Sequence, residues 1–215
     1  MRVLETVLGL CLVGNAIVAF PQDTFYDETP QHKALHHYHT GQDLMRQERF
    51  EEAIQEFKTA TKLEPLMIFA YFATGRAQMA LKQYGEAVQS FKGCDQAFRR
   101  LASLTISGTA DPDHSLQEQV FELEASQFRA EVTSGRGRPT QEARTEMARM
   151  QNTIDDLKRL KEGLSSGPLP PPAECMLSLG SSLVHMGRLK DGEDAFKAAI
   201  QGRPKFGEAH NNLAV

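Results

Sequence analysis

Three stretches of this 215-residue chain carry similar small and aromatic residues at the same internal spacing, the second 34 residues after the first and the third 105 residues after the second, and that pattern leaves few folds open. The first has Gly41, Phe50, Ala53, Phe57, Ala60 and Pro65, with the polar run Arg46-Gln47-Glu48-Arg49 between two apolar-periodic segments. Gly75, Tyr84, Ala87, Phe91 and Cys94 follow, each 34 residues after its counterpart. A third copy has Gly180, Leu189, Phe196, Ala199 and Pro204, with Gly192 where Ala53 and Ala87 stood. Small residues let two antiparallel helices approach closely, and the aromatic of the second helix fills the space between successive pairs. One pair cannot bury its own apolar face, whereas stacked pairs share a continuous core. Trp is absent, and the repeats are rich in Ala, Leu, Glu, Gln, Lys and Arg, which lose little on entering a helix. The expectation is an all-α solenoid.

This phase resembles that of the tetratricopeptide-repeat family, with matches over residues 34–67, 68–101 and 173–206. Ala209-His210-Asn211-Asn212-Leu213-Ala214 is similar to the opening of a fourth repeat, and the chain stops at Val215 inside it, as a fragment of a longer protein would. The departures are Arg99, where the closing proline is missing, Gly192, and His37 and Met176 where a large aromatic is common. The resemblance implies that the first helix of each pair lines a concave surface where partners dock. It places Leu35, Tyr38, Gln42 and Met45 there from the first repeat, Phe69, Phe72, Arg76 and Met79 from the second, and Leu177, Ser181 and Val184 from the third. The Lys and Asn side chains with which some relatives clamp a terminal carboxylate are absent. An apolar groove containing Met and aromatic residues suits an amphipathic helix or an apolar peptide.

Residues 102–172 leave the phase. Ser115 and Glu118 make a capping box opening a helix to about Ser134, and Gly135-Arg136-Gly137-Arg138-Pro139 breaks it. A second helix from about Thr140 to Gly163 carries Met147, Met150, Ile154, Leu157, Leu160 and Leu164 at threes and fours. At roughly 28 and 34 Å the two helices would pair as an inserted long hairpin, a lengthened repeat or a coiled-coil arm. Ser165 to Pro172 reads as a semi-extended, proline-rich linker.

The first nineteen residues differ again: an apolar run from Thr6 to Ala19 reads as a signal peptide cleaved after Ala19, or else a retained N-terminal membrane anchor. Residues 20–33 form a linker to the first repeat. The leader and the repeat style imply a bacterial protein, exported to the periplasm or secreted, with anchoring to the inner membrane as the alternative. Without the leader, Cys94 and Cys175 remain, able to form one disulfide in an oxidising compartment. Cys94, between Phe91 and Phe98 on an apolar face, reads first as a free Cys acting as a small hydrophobe.

A net charge of −4 without a Lys/Arg run removes nucleic acid as a partner. No phosphate-binding loop, dinucleotide fingerprint or H-E-x-x-H pattern is present, and no cofactor is expected. Gly163-Leu164-Ser165-Ser166-Gly167 matches a nucleophile motif but ends a helix, where a strand-to-helix turn is required. His32, His36 and His39 share a helical face if the first helix starts early enough, and imidazoles so spaced can ligate a metal. The bland reading is exposed helix-start residues, with His37 packing as a substitute aromatic; no metal site is expected. The function implied is a non-enzymatic scaffold that binds a helical or extended peptide of a partner protein. Homo-oligomerisation through the hairpin or the open C-terminal repeat is a further expectation. The alternative is the regulatory or substrate-binding region of an enzyme whose catalytic domain lies beyond residue 215.

Overall fold

A computed structural model describes residues 12–13, 16–17, 29–107 and 172–214, together with positions 141, 144–145, 148–149, 151–152, 154–155 and 158. The seven repeat helices are α1 (Pro30–Arg46), α2 (Phe50–Leu63), α3 (Ile68–Ala80), α4 (Tyr84–Ser107), α5 (Ala173–His185), α6 (Leu189–Gly202) and α7 (Gly207–Leu213). Near the N-terminus, β1 (Leu12–Val13) pairs antiparallel with β2 (Ala16–Ile17). No helix among the described residues is long and apolar enough to cross a membrane. Helices α1 with α2, α3 with α4, and α5 with α6 form antiparallel pairs, and the pairs stack in chain order through α2 on α3, α4 on α5 and α6 on α7. The result is an all-α tetratricopeptide-repeat solenoid. The third pair lies directly on the second, although the whole insert separates them in sequence.

The repeated glycine is explained by its neighbour across each pair. A Cβ added to Gly41 would sit 2.5 Å from Phe57 Cε1, one on Gly75 2.6 Å from Phe91 Cε1, and one on Gly180 2.5 Å from Phe196 Cε1. Phe57 and Phe91 are wholly buried and Phe196 nearly so, leaving the rings no direction in which to yield. Gly192, the departure from Ala53 and Ala87, has the same cause: a Cβ there would meet Val184 Cγ2 at 2.8 Å. The β-branched Val184 stands where the first two repeats have the flexible Met45 and Met79.

Each pair turns in the same way. Arg49, Gln83 and Arg188 donate their backbone N–H to the carbonyls of Leu44, Gln78 and Leu183, closing a Schellman motif around a left-handed residue. That residue is Glu48 at φ 59°, Lys82 at φ 59° and Gly187 at φ 77°, and of the three only glycine is free of Cβ crowding there.

Helix starts and stops differ from the sequence expectation at two places. α1 begins at Pro30, inside the expected 20–33 linker, because Thr29 Oγ1 accepts the His32 N–H at 3.3 Å and Pro30 fits the first turn. α2 ends at Leu63 and α6 at Gly202, each two residues before a proline, Pro65 and Pro204. A proline disfavours helix in the residue before it and supplies no N–H. With Arg99 in that place α4 runs on to Ser107, across the expected repeat boundary at residue 101.

The described positions between Gln141 and Lys158 are helical. Ile154 is fully buried in the same core as Phe98, Leu101, Ala102 and Cys175, so this part of the insert packs against the overrun of α4 and the start of α5. The first expected hairpin helix, the Gly163–Gly167 motif and the linker up to Pro171 lie outside the described residues, as does most of the leader. Cys94 and Cys175 are joined in a disulfide with Cα atoms 6.3 Å apart, which corrects the reading of Cys94 as a free small hydrophobe. The 34-residue phase set Cys94 on the face of α4 that meets the next first helix, and the insert hid that this helix is α5.

Gly75→Ala is expected to lower stability by about 1–3 kcal/mol through overpacking, despite the helix propensity of Ala. Adding Phe91→Leu should recover part of the loss; urea unfolding of the two single variants and the double variant measures the coupling.

Candidate functional site: the concave face and its edge

Of the eleven side chains expected on the concave face, the structure exposes eight at least in part and buries three. Tyr38, Phe69 and Leu177 are 4%, 3% and 6% exposed and belong to the core, which corrects their assignment as groove lining. The Tyr38 ring lies 4.5 Å from that of Phe69, edge on, and 5.7 Å from that of Phe57, so it seals the first repeat to the second. Sequence spacing gives the direction in which a helical residue points. It does not give the depth at which the next helix covers it. Leu35, Gln42 and Met45 on α1, Phe72, Arg76 and Met79 on α3, and Ser181 on α5 are half-buried, while Val184 is 40% exposed. Gln42 Nε2 donates to Tyr38 Oη at 2.8 Å, and Ser181 Oγ donates to the Leu177 carbonyl at 3.1 Å. Phe72 packs its ring 5.7 Å from that of Phe91. Tyr38, His39 and Arg76 all take part in further interactions.

Met45, Met79 and Val184 occupy one repeated position, and each first helix brings one of them to the surface. Beyond the expected set, Met186 and Leu189 are 44% and 65% exposed at the turn of the third pair. His185 stacks on Tyr84 with ring centroids 4.6 Å apart and planes inclined by 11°, a contact between the second helix pair and the third.

The least expected residue of this region is Glu174. It holds the position of Leu35 and Phe69 in the phase, yet it is a carboxylate only 4% exposed. Its Oε1 accepts from Asn152 Nδ2 of the insert at 2.6 Å and from Arg203 Nη1 at 3.1 Å. Arg203 also donates Nη2 to the Asn152 carbonyl at 3.1 Å and lies 4.8 Å above the Phe206 ring. Burial raises the Glu174 carboxyl above its ordinary pKa, and the bonds from Asn152 and Arg203 work against that rise. A charge standing at an otherwise apolar position of the repeat was the available signal that a buried partner would be needed.

Among the described residues no group of three or more His, Cys, Asp or Glu side chains is arranged to hold a metal ion. His32 and His36 are exposed at the start of α1. His37 does not pack as a plain substitute aromatic: its Nδ1 lies 2.7 Å from Glu56 Oε2 on α2.

Paired helices held by small-residue contacts and stacked in chain order define a helical-repeat protein. Residues 38–99 match the sequence profile described as tetratricopeptide repeat. Such repeats build protein–protein interaction scaffolds, and proteins of this kind are typically non-catalytic. A solved structure that resembles it is described as "Crystal structure of YrrB: a TPR protein with an unusual peptide-binding site". That chain is 14% identical, with 85% of this chain and 92% of the other covered and a TM-score of 0.28. No curated protein sequence matches.

Arg203→Met leaves the buried Glu174 carboxylate without its cation, and about 3 kcal/mol of stability should be lost at neutral pH. A raised carboxyl pKa means that the folded state holds the proton to higher pH than the unfolded state does. Stability from this group is therefore greatest below the ordinary carboxylate range and falls as pH rises through the raised value. The loss in Arg203→Met should accordingly shrink on acidification, and Glu174→Gln should remove that dependence; urea melts at pH 4 and pH 7 decide.

Proposed function

We propose that this chain is a non-enzymatic adaptor whose concave face takes a helical or extended apolar segment of a partner protein. The observation that carries the reading is the repeated position held by Met45, Met79 and Val184. Three successive first helices present a flexible or branched apolar side chain in register, partly open to solvent. Met side chains adapt to the shape of what they touch, which suits a groove that accepts an apolar helix face without a fixed polar code. Phe72, beside Met79 on the same helix, supplies a rigid aromatic wall.

The adaptor is exported. Its apolar leader supports that, and so does the Cys94–Cys175 bridge, a bond that persists in oxidising compartments such as the bacterial periplasm. Expression of the chain with its leader in a bacterial host, followed by N-terminal sequencing of the periplasmic product, is expected to return a mature terminus at Phe20. An intact Met1 on a membrane-bound product would point to a retained anchor instead.

Met79→Asp and Val184→Asp each place a charge on the groove without touching the glycine–phenylalanine contacts. Capture of the physiological partner should fall at least about tenfold in either variant, because a buried charge in an apolar interface is left unpaired. Far-ultraviolet circular dichroism should stay helical as in the parent, although the melting temperature falls, since Val184 packs over Gly192 and Met79 against the core. Equal capture by parent and variants would remove the groove as the binding surface.

A further inference from the structure

Cys94 and Cys175 occupy repeated positions, and the phase shows what stands there at the other two junctions of the stack. At the first junction it is Ala60 and Ala70, and at the third Ala199 and Ala209, all of them fully buried. Packing at this point therefore asks only for two small apolar side chains, and a covalent bond is an addition to it. The junctions differ in a second respect. α2 connects to α3 through the 4 residues 64–67, and α6 to α7 through the 4 residues 203–206. Between Ser107 of α4 and Ala173 of α5 lie the 65 residues 108–172. The bridge thus sits at the one described junction that has lost its short connector.

A short turn keeps the next helix pair at high effective concentration over its docking face. An unconstrained connector of 65 residues in place of one of 4 would weaken that by at most roughly 60-fold, since the probability of closing a loop falls as about the 3/2 power of its length, and the helical positions between 141 and 158 reduce the factor. We infer that the Cys94–Cys175 bridge stands in for the interrepeat turn that the insert displaced, holding the third repeat in stacking phase with the second. The bond joins the middle of α4 to the first turn of α5, within the docking face itself, and so fixes register as well as proximity. The other tie across this junction is the insert, through buried Ile154 and the Asn152 bond to Glu174, and it is the rival holder. Without a firm junction the groove loses its third helix, which carries Ser181 and Val184.

Both cysteines are almost wholly buried, at 0% and 4% exposure, so substitution is a better probe than reductant. Cys94→Ala/Cys175→Ala restores the side chains of the first junction and removes only the bond. Native-state hydrogen exchange on the full chain should show amides of α5 and α6 losing protection by tenfold or more, up to roughly 60-fold, while α1 to α3 keep theirs. Ala60→Cys/Ala70→Cys supplies the converse. The engineered bridge should form on oxidation and change protection at the first junction by less than about threefold, because the connector there is already short. Unchanged protection in α5 and α6 of the alanine variant would overturn the inference and give the junction to the insert. A uniform loss along the chain, including outright unfolding, would overturn it as well, since the bond would then serve the whole fold. So would a large gain from the engineered bridge.

Discussion

Everything in this array depends on a phenylalanine ring lying flat against a helix backbone that carries no side chain at that point. Gly41 under Phe57, Gly75 under Phe91 and Gly180 under Phe196 set how closely the two helices of a pair approach. That approach decides where the outer faces of the pair stand, and therefore what the next pair meets. The substitution of Gly192 for alanine obeys the same constraint from the other helix: Val184 takes the space, so the facing residue gives up its Cβ. Stability is then largely a sum of pair and junction terms, and a weak junction is a local matter rather than a global one.

The repeats were legible because this contact is local in sequence: the glycine and its ring are 16 residues apart in every copy, as with Gly41 and Phe57. The all-α solenoid, the phase and the direction of the first helices all follow from it. Depth did not follow. Tyr38, Phe69 and Leu177 point toward the concave side, but burial there depends on neighbouring repeats, and for Leu177 the preceding pair sits on the far side of the insert. The early start of α1 was written in Thr29-Pro30, a cap followed by a first-turn proline. The overrun of α4 was written in Arg99, whose meaning is plain only beside Pro65 and Pro204. Glu174 could not be partnered from sequence, because Asn152 and Arg203 reach it through long-range contacts, and the Cys94–Cys175 bridge stood in the sequence only as one of two readings.

The edge where the insert meets the repeats is chemically unlike the rest of the stack. Elsewhere the pairs meet through alanine, phenylalanine and other apolar side chains. Here a carboxylate, a guanidinium, a carboxamide and a disulfide are gathered around the first turn of α5. Arg203, whose side chain is 13% exposed, belongs to the connector leading to α7, so its bonds tie the insert to the third helix pair and to the connector of the next repeat. A hydrogen-bonded charge pair of this kind fixes geometry more than it adds stability, because desolvation offsets most of the attraction.

The absent proline at residue 99 has a wider meaning. By running ten residues past Ala97, the position equivalent to Leu63, α4 rises about 15 Å above the edge where its neighbours stop. The inserted segment therefore leaves the array from the end of α4 and returns at the start of α5, with Ile154 packed into the core at that junction. A solenoid that can drop one proline and add one covalent stitch has a seam at which new sequence can be sewn in while the curvature of the original surface is kept.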